Sequence, residues 1–372
     1  MARADADTPG FGSEFRSRLC VTLVADLLRD LEIHLIEIRS VRFLADHPWP
    51  TGKRLRPITF LLSNLSVQVL RTTRPVFDGR ESRLAAAIEL LHEASLVHDD
   101  IVDRSTVRRG KPSMQVLHGE GLALLIGDYM VFRGLKLVLD AAISRDDIVL
   151  AQELANTGLA IAHGEADQLD RYLNRRDGAS RMSMDNYIGI IGKKTAAFFA
   201  GCAEAGAAMA GAGKELRQIY REFGMNMGLA FQMVDDLMDI LGDPLKASKT
   251  LQNNVAEGTV TLPMVHAWEL HPEDPLLGKL ARAETLNRRE RARMQKILAR
   301  PTVVEASRST MDVYAANARR CLDRMPSSIY RVGLADLLDY IVRCPWGGLE
   351  STLARAANPG DTGGIPPEKE SN

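Results

Sequence analysis

Two aspartate clusters carry most of the chemistry this sequence offers. HDDIVD supplies Asp99, Asp100 and Asp103; VDDLMD supplies Asp235, Asp236 and Asp239. Each has the form DDxxD. On a helix, positions i and i+4 share a face, so Asp99 lies over Asp103 and Asp235 over Asp239. Like charges so spaced cost an exposed helix a few tenths of a kcal/mol, and several once the face is buried. A divalent cation removes the conflict. Hard carboxylates with open positions suit Mg²⁺, which keeps waters and shares its shell with substrate phosphates. No EF-hand loop accompanies them, which argues against a calcium buffer. One acidic turn is common on a solvated helix. Two in the same form, each ending an apolar stripe, are not a common accident.

Positive charge is gathered nearby. Gly52-Lys53-Arg54-Leu55-Arg56-Pro57 follows a loop and precedes the apolar run ITFLLSNL. Arg108 and Arg109 follow the first acidic cluster, Lys194 and Thr195 follow Gly192-Lys193, and Lys249 follows the second cluster. Lysine holds phosphate as a point charge and arginine as a fork. Each basic turn taken alone reads as a solvated surface feature. Together with the aspartates they describe a site for an anion that metals also hold. Neither a Walker A nor a dinucleotide fingerprint is present.

The elements that must position these groups are helices. Ala, Leu, Met, Glu and Arg dominate, and alternating β-branched runs are missing. Leu84, Ala87, Ile88, Leu91 and Ser95 form a stripe that runs down to the first cluster, and Gly224, Gly228, Phe231 and Gln232 a stripe to the second. Loops are expected at His47–Gly52, Arg71–Gly79, Arg104–Pro112, Asn174–Ser180 and Gly242–Gly258. No linker divides the middle. The expected architecture is all-α, one enlarged bundle of about ten or more helices over residues 15–356. Residues 1–14 and 357–372 read as flexible, disordered tails.

Composition narrows the classes further. Over 372 residues, 47 Lys and Arg balance 48 Asp and Glu, so no global basic field draws nucleic acid. Cys20, Cys202, Cys321 and Cys344 form no CxxC pair, which argues for buried thiols in a reducing cytoplasm rather than a disulfide or zinc framework. The N-terminus lacks the apolar core of a signal peptide. The most apolar stretch, Gly121 to Ala142, is interrupted by Asp128, Arg133, Lys136 and Asp140, so no membrane span is expected. His118, His163 and His266 have no partners at ligand spacing and read as structural. Met225, Met227, Met233 and Met238 read as core fillers.

In order along the chain, GKRLRP, ELLHEASLVHDDIVDRSTVRRGKPS, LIGDYM, GEADQL, GKKTA, FQMVDDLMDILGDP and EGTVTLP resemble the trans-isoprenyl diphosphate synthases. The resemblance spans about Thr51 to Pro263. It implies the isoprenoid synthase fold, helices around a central apolar cavity, and head-to-tail joining of isopentenyl diphosphate to an allylic diphosphate. It implies that Asp99, Asp100, Asp103 and Asp235, with Asp239 nearby, hold Mg²⁺. Arg108, Lys194 and Lys249 would then hold the allylic diphosphate, and Lys53, Arg56, His92 and Arg109 isopentenyl diphosphate. Thr195 and Gln232 match positions lining the reaction centre, Asp236 belongs to the catalytic motif, and Gln168 also falls on a family motif. A homodimer is implied too. Thr51 stands where the family often has glycine, with little effect expected; Asn254 and Thr259 depart from the common aspartate and lysine, which puts the closing loop in doubt but not the metal site.

Product length should follow the depth of the apolar tunnel below the first cluster. The fifth residue upstream of Asp99 is Ala94, about 7.5 Å lower by helical rise. Ala94 and Ser95 offer no aromatic floor, and Gly224 and Gly228 no wall, so a hexaprenyl to decaprenyl product is expected. The alternative is that a side chain near Met130 or Phe132 closes the tunnel and yields geranylgeranyl or farnesyl diphosphate. Three rival functions compete with this reading. A class I terpene cyclase would not need Lys53, Arg56, His92 and Arg109. A silent synthase subunit would have lost its aspartates. A diphosphate hydrolase would need a positioned water and base that the sequence does not supply.

Overall fold

The computed structural model describes residues 27–35, 52–72, 75–141, 145–174, 181–241, 259–282, 284 and 286–343. The two tails, Thr51, Lys249, Asn254, Cys20 and Cys344 lie outside them. The described chain is helical almost throughout. In order come α1 (27–35), α2 (Leu55–Gln68), α3 (Arg80–Val102), a hairpin of β1 (Val107–Arg108) and β2 (Lys111–Pro112), α4 (Met114–His118), α5 (Glu120–Ala141), α6 (Arg145–Asn174) and α7 (Met184–Ile191). A π-helical turn, Gly192–Ala196, leads into α8 (Ala197–Met209). Then follow α9 (Lys214–Leu241), α10 (Leu262–Leu270), α11 (Pro275–Ala281), α12 (Arg288–Leu298), α13 (Pro301–Arg324) and α14 (Ile329–Arg343).

Local chemistry sets many of the boundaries. Proline opens α10, α11 and α13, where its missing N–H costs nothing. Asn287 and Glu290 close a capping box on α12. The core is built around α8, whose sequence AFFAGCAEAGAAM is small enough for neighbours to approach its backbone. A Cβ added at Gly206 would lie 2.2 Å from the Phe60 carbonyl oxygen of α2, and one at Gly224 of α9 2.4 Å from that of Phe199. Phe60, Phe199 and Phe223 are fully buried there, each contributing about 1.5–3 kcal/mol by removal from water. Gly228 likewise abuts Ala196. Gly224 and Gly228 therefore serve helix packing and are not an open tunnel wall.

Helix α5 packs antiparallel on α3. Gly127 admits the His98 ring, and Gly134 admits Leu91 and the Ala87 carbonyl. Met130, buried between those two contacts, faces α3, whereas Phe132 is 69% exposed on the opposite side. Phe132 thus cannot close a tunnel within this chain. Leu124, Leu125, Leu135 and Leu139 share that exposed face.

The segment Arg104–Pro112, expected as a plain loop, contains the one described pair of strands. Val107 pairs with Pro112 and Arg108 with Lys111. Arg109 and Gly110 both have positive φ, 49° and 77°, the geometry of a two-residue primed turn. Only the Gly was a visible signal for it; the strain at Arg109 was not legible.

Candidate active site

The first cluster ends α3. Asp99 and Asp103 keep accessible surface, while Asp100 is buried. The Asp100 carboxylate accepts from Nε and Nη2 of Arg108, so the hairpin that carries Arg108 is tied to the helix it follows. Gln115 of α4 reinforces this by donating to the carbonyls of both Asp100 and Ser105, each at 2.7 Å. Burial, aided by Glu165, pushes the Asp99 carboxyl up to about 7 against the pull of Lys194. Burial raises Asp103 as well.

The second cluster lies on α9. Asp235 is exposed and Asp239 is half-buried. Asp235 is ringed by protein on its other sides, which raises its carboxyl against Lys53 and Arg108. Burial, then Asp235 and Asp236, lift Asp239 to about 7. Arg108 acts on Asp99, Asp103 and Asp235 alike, so it lies within electrostatic reach of both clusters. Asp236 is turned inward. Its carboxylate accepts from Tyr187 Oη at 2.7 Å, the Leu262 N–H at 2.8 Å and Gln232 Nε2 at 2.9 Å. Burial nonetheless holds it up at about 6.

Basic groups surround the acids, most of them already held by a partner. Lys194 leaves the π-turn toward Glu165 of α6, 2.7 Å away. Burial pulls its ammonium down, but Glu165 and Asp99 more than restore it. Gly164 lets α6 come this close, since a Cβ there would sit 2.7 Å from the Lys194 backbone nitrogen. Thr195 donates to Gln232 Oε1 at 2.9 Å. A π-turn is a recurrent device for re-aiming side chains at a functional site; here it aims Lys194 and Thr195.

Arg56 stacks over Phe198 and Phe199, with its Cζ 5.3 and 4.7 Å from the ring centroids. Its Nη1 approaches His92 Nε2 at 3.1 Å. Burial and then Arg56 hold the imidazole well below its usual range, so His92 is neutral and accepts from the arginine. Arg109 donates to buried Glu93 at 3.0 Å. Lys53 lies over the Tyr340 ring of α14, 5.3 Å from its centroid. Arg54, the third charge of the basic turn, instead bonds Glu32 and Glu89. It anchors the turn and leaves Lys53 and Arg56 to face the site. Gln168 donates to Thr259 at 3.1 Å, joining two motifs 91 residues apart.

Glu89, Glu93, Glu165, Tyr187, Phe198 and Tyr340 were not singled out in the sequence. Glu89 and Glu93 carried a signal, being i and i+4 on α3. Tyr187 and Tyr340 carried none, because their partners come from distant segments. Below the cluster, Ala94 is fully buried and Ser95 is half-buried. Rise alone favoured Ala94, but rotation matters too: Ala94 is turned about 140° around the helix from Asp99, and Ser95 only about 40°.

Among the described residues no three His, Cys, Asp or Glu converge into a ready cage for a metal ion. The accessible carboxylates of both clusters instead suit a hard cation that shares its shell with a phosphate ligand. An all-α bundle with two acid clusters and basic groups around them is a scaffold for metal-assisted diphosphate chemistry. Residues 40–298 match the family described as Polyprenyl synthetase, and the chain belongs to that family. It is a trans-isoprenyl diphosphate synthase, a prenyltransferase.

The geranylfarnesyl diphosphate synthase of Aeropyrum pernix is 30% identical over 331 residues, 87% of this chain and 96% of that protein. The crystal structure of a Caulobacter crescentus polyprenyl synthase, complexed with calcium and isoprenyl diphosphate, has 26% identity and a TM-score of 0.75, with 90% of this chain and 98% of that one covered. A decaprenyl diphosphate synthase from Rhodobacter capsulatus has 27% identity and a TM-score of 0.74, covering 88% and 98%. Curated relatives include geranylgeranyl, octaprenyl and nonaprenyl diphosphate synthases.

Proposed function

We propose that this chain condenses isopentenyl diphosphate head to tail with an allylic diphosphate in the presence of Mg²⁺, and that its product is long, hexaprenyl to decaprenyl. The observation that carries the reading is that Arg108, tied to Asp100, lies within electrostatic reach of both acid clusters, with the small, partly exposed Ser95 one turn below Asp99. Asp99, Asp103, Asp235 and Asp239 are the cation's ligands; bound there, Mg²⁺ supplies Lewis-acid neutralisation of the departing diphosphate. Arg108, Lys194 and Lys249 hold the allylic diphosphate. Arg108 and Lys194 are pre-oriented by Asp100 and Glu165 and exchange those partners for phosphate. Lys53, Arg56, His92 and Arg109 hold isopentenyl diphosphate. Fixed positive charge aimed at the leaving group favours ionisation of the C–O bond to an allylic cation. Thr195 and Gln232 line the centre where that cation meets the isopentenyl double bond. The proton is lost to the released diphosphate, and apolar walls keep water from capturing the cation.

We also propose a homodimer formed through the exposed face of α5, where Leu124, Leu125, Phe132, Leu135 and Leu139 lie unpartnered. An apolar face of that length on a soluble chain marks an interface. Phe132→Glu should yield monomers in sedimentation. No described helix is long and apolar enough to cross a membrane, and Cys202 and Cys321 are buried free thiols, in keeping with a cytoplasmic enzyme.

Product analysis tests the reading. The purified chain is incubated with Mg²⁺, labelled isopentenyl diphosphate and each allylic starter in turn. A ladder extending past geranylgeranyl supports the long product. A stop at farnesyl or geranylgeranyl keeps the chemistry and places a floor nearer Ser95, with Met130 as the first candidate. No elongation overturns the synthase reading and favours a cyclase or a silent subunit.

A further inference from the structure

Asp236 stands in an acidic motif, yet both its oxygens are spoken for. Oδ1 accepts from Gln232 Nε2 at 2.9 Å; Oδ2 accepts from Tyr187 Oη at 2.7 Å and the Leu262 N–H at 2.8 Å. The residue is 5% exposed and Tyr187 1%. A buried carboxylate needs such donors to stay in place. The consequence passes to Gln232. Because its amide nitrogen is committed to Asp236, its amide oxygen is the atom left to accept from Thr195 Oγ1, at 2.9 Å. The orientation of that amide is thus chosen by the carboxylate behind it. A hydroxyl on α7, a backbone N–H at the start of α10 and two side chains on α9 form one chain of bonds that ends at Thr195 on the π-turn.

We propose that Tyr187 is a positioning residue for the condensation: through Asp236 it locks Gln232 with its carbonyl oxygen directed toward Thr195 and the reacting carbons. The inference rests on the reading that Gln232 and Thr195 line the reaction centre. A carbonyl dipole with its negative end toward a developing cation stabilises that cation, provided the amide cannot turn over. Without the Tyr187 hydroxyl, Asp236 keeps the Gln232 and Leu262 N–H donors and loses its anchor on α7. The carboxylate can then rotate, and the Gln232 amide it orients moves with it. The diphosphates are gripped by other groups, so their binding is untouched.

The test is a double-mutant cycle on the full chain with Mg²⁺, farnesyl diphosphate and labelled isopentenyl diphosphate, read as the single-turnover rate of the first condensation and the KM of each substrate. Tyr187→Phe should slow that step roughly tenfold, the scale of one buried hydrogen bond to a charge, and leave both KM values within about twofold. Gln232→Leu should slow it as well. In the Gln232→Leu background, Tyr187→Phe should cost nothing more, because the two act as a unit. An equal loss in both backgrounds would overturn the proposal and make Tyr187 a merely structural residue. If Gln232→Leu alone leaves the rate unchanged, the reading of the reaction centre fails, and the proposal with it. Asp236→Asn, which keeps the side chain's shape, is run through the same cycle and decides the matter if Tyr187→Phe does not fold.

Discussion

Arg108 donates through Nε and Nη2 to one oxygen of Asp100, at 2.9 and 2.5 Å. That bond divides the labour within a DDxxD motif. Asp100 orients a cation of the protein, and Asp99 and Asp103 keep accessible surface for a cation from solution. The two kinds of aspartate should fail differently. Asp99→Ala removes a metal ligand and should lower kcat by about 10³-fold or more. Asp100→Asn should chiefly raise the KM for the allylic diphosphate, since it unties Arg108. Steady-state kinetics at saturating Mg²⁺ separates the cases; equal collapse of kcat in both would show that Asp100 serves the metal directly.

Ser95 lies on the same side of α3 as Asp99 and keeps part of its surface. Ser95→Phe should shorten the product by one or more isoprene additions while leaving the first condensation intact. Ala94→Phe should instead cost stability, because Ala94 has no exposed surface and an overpacked core site loses about 1–3 kcal/mol. Chromatography of the products and a thermal melt of each variant check this. An unchanged ladder from Ser95→Phe would move the tunnel to another face.

His92 gives a stability that depends on pH. Burial and then Arg56 hold its folded-state pKa well below the unfolded value near 6.5. The folded protein therefore binds fewer protons at this site than the unfolded chain, and stability is lost as pH falls below about 6.5. His92→Gln should flatten the decline of Tm between pH 7 and 5, whatever its effect on catalysis. Parallel Tm profiles for the two proteins would contradict a buried neutral imidazole.

Glycines of one composition have opposite roles here. Gly224 meets the backbone of α8, while nothing lies within 4 Å of a Cβ at Gly158 of α6. Gly224→Ala should destabilise by about 1–3 kcal/mol or more through steric overlap. Gly158→Ala should be neutral or stabilise by up to about 1 kcal/mol through helix propensity. Chemical denaturation resolves both signs.

Much of this site is readable before any coordinates. The DDxxD spacing places Asp99 with Asp103 and Asp235 with Asp239 because helical periodicity is a local property. The same periodicity made the all-α class evident. The primed turn at Arg109 was hidden because its usual residues, Asn-Gly or Asp-Gly, are replaced by Arg-Gly. The π-turn at Gly192–Ala196 was hidden because GKKTA has no propensity that distinguishes one extra residue per turn.

What the sequence determined by itself is the set of chemical groups and the helical faces that present them. Periodicity and charge do not depend on distant partners. What the tertiary structure alone decided is which member of each cluster faces inward. Asp236 and Asp235 are adjacent and chemically identical, yet Tyr187, 49 residues away, and Leu262 capture one and leave the other exposed. Phe132 and Met130 are likewise separated only by the side of α5 that meets α3. Burial and hydrogen-bond partners are set by contacts between remote segments, and those exist only once the bundle has closed.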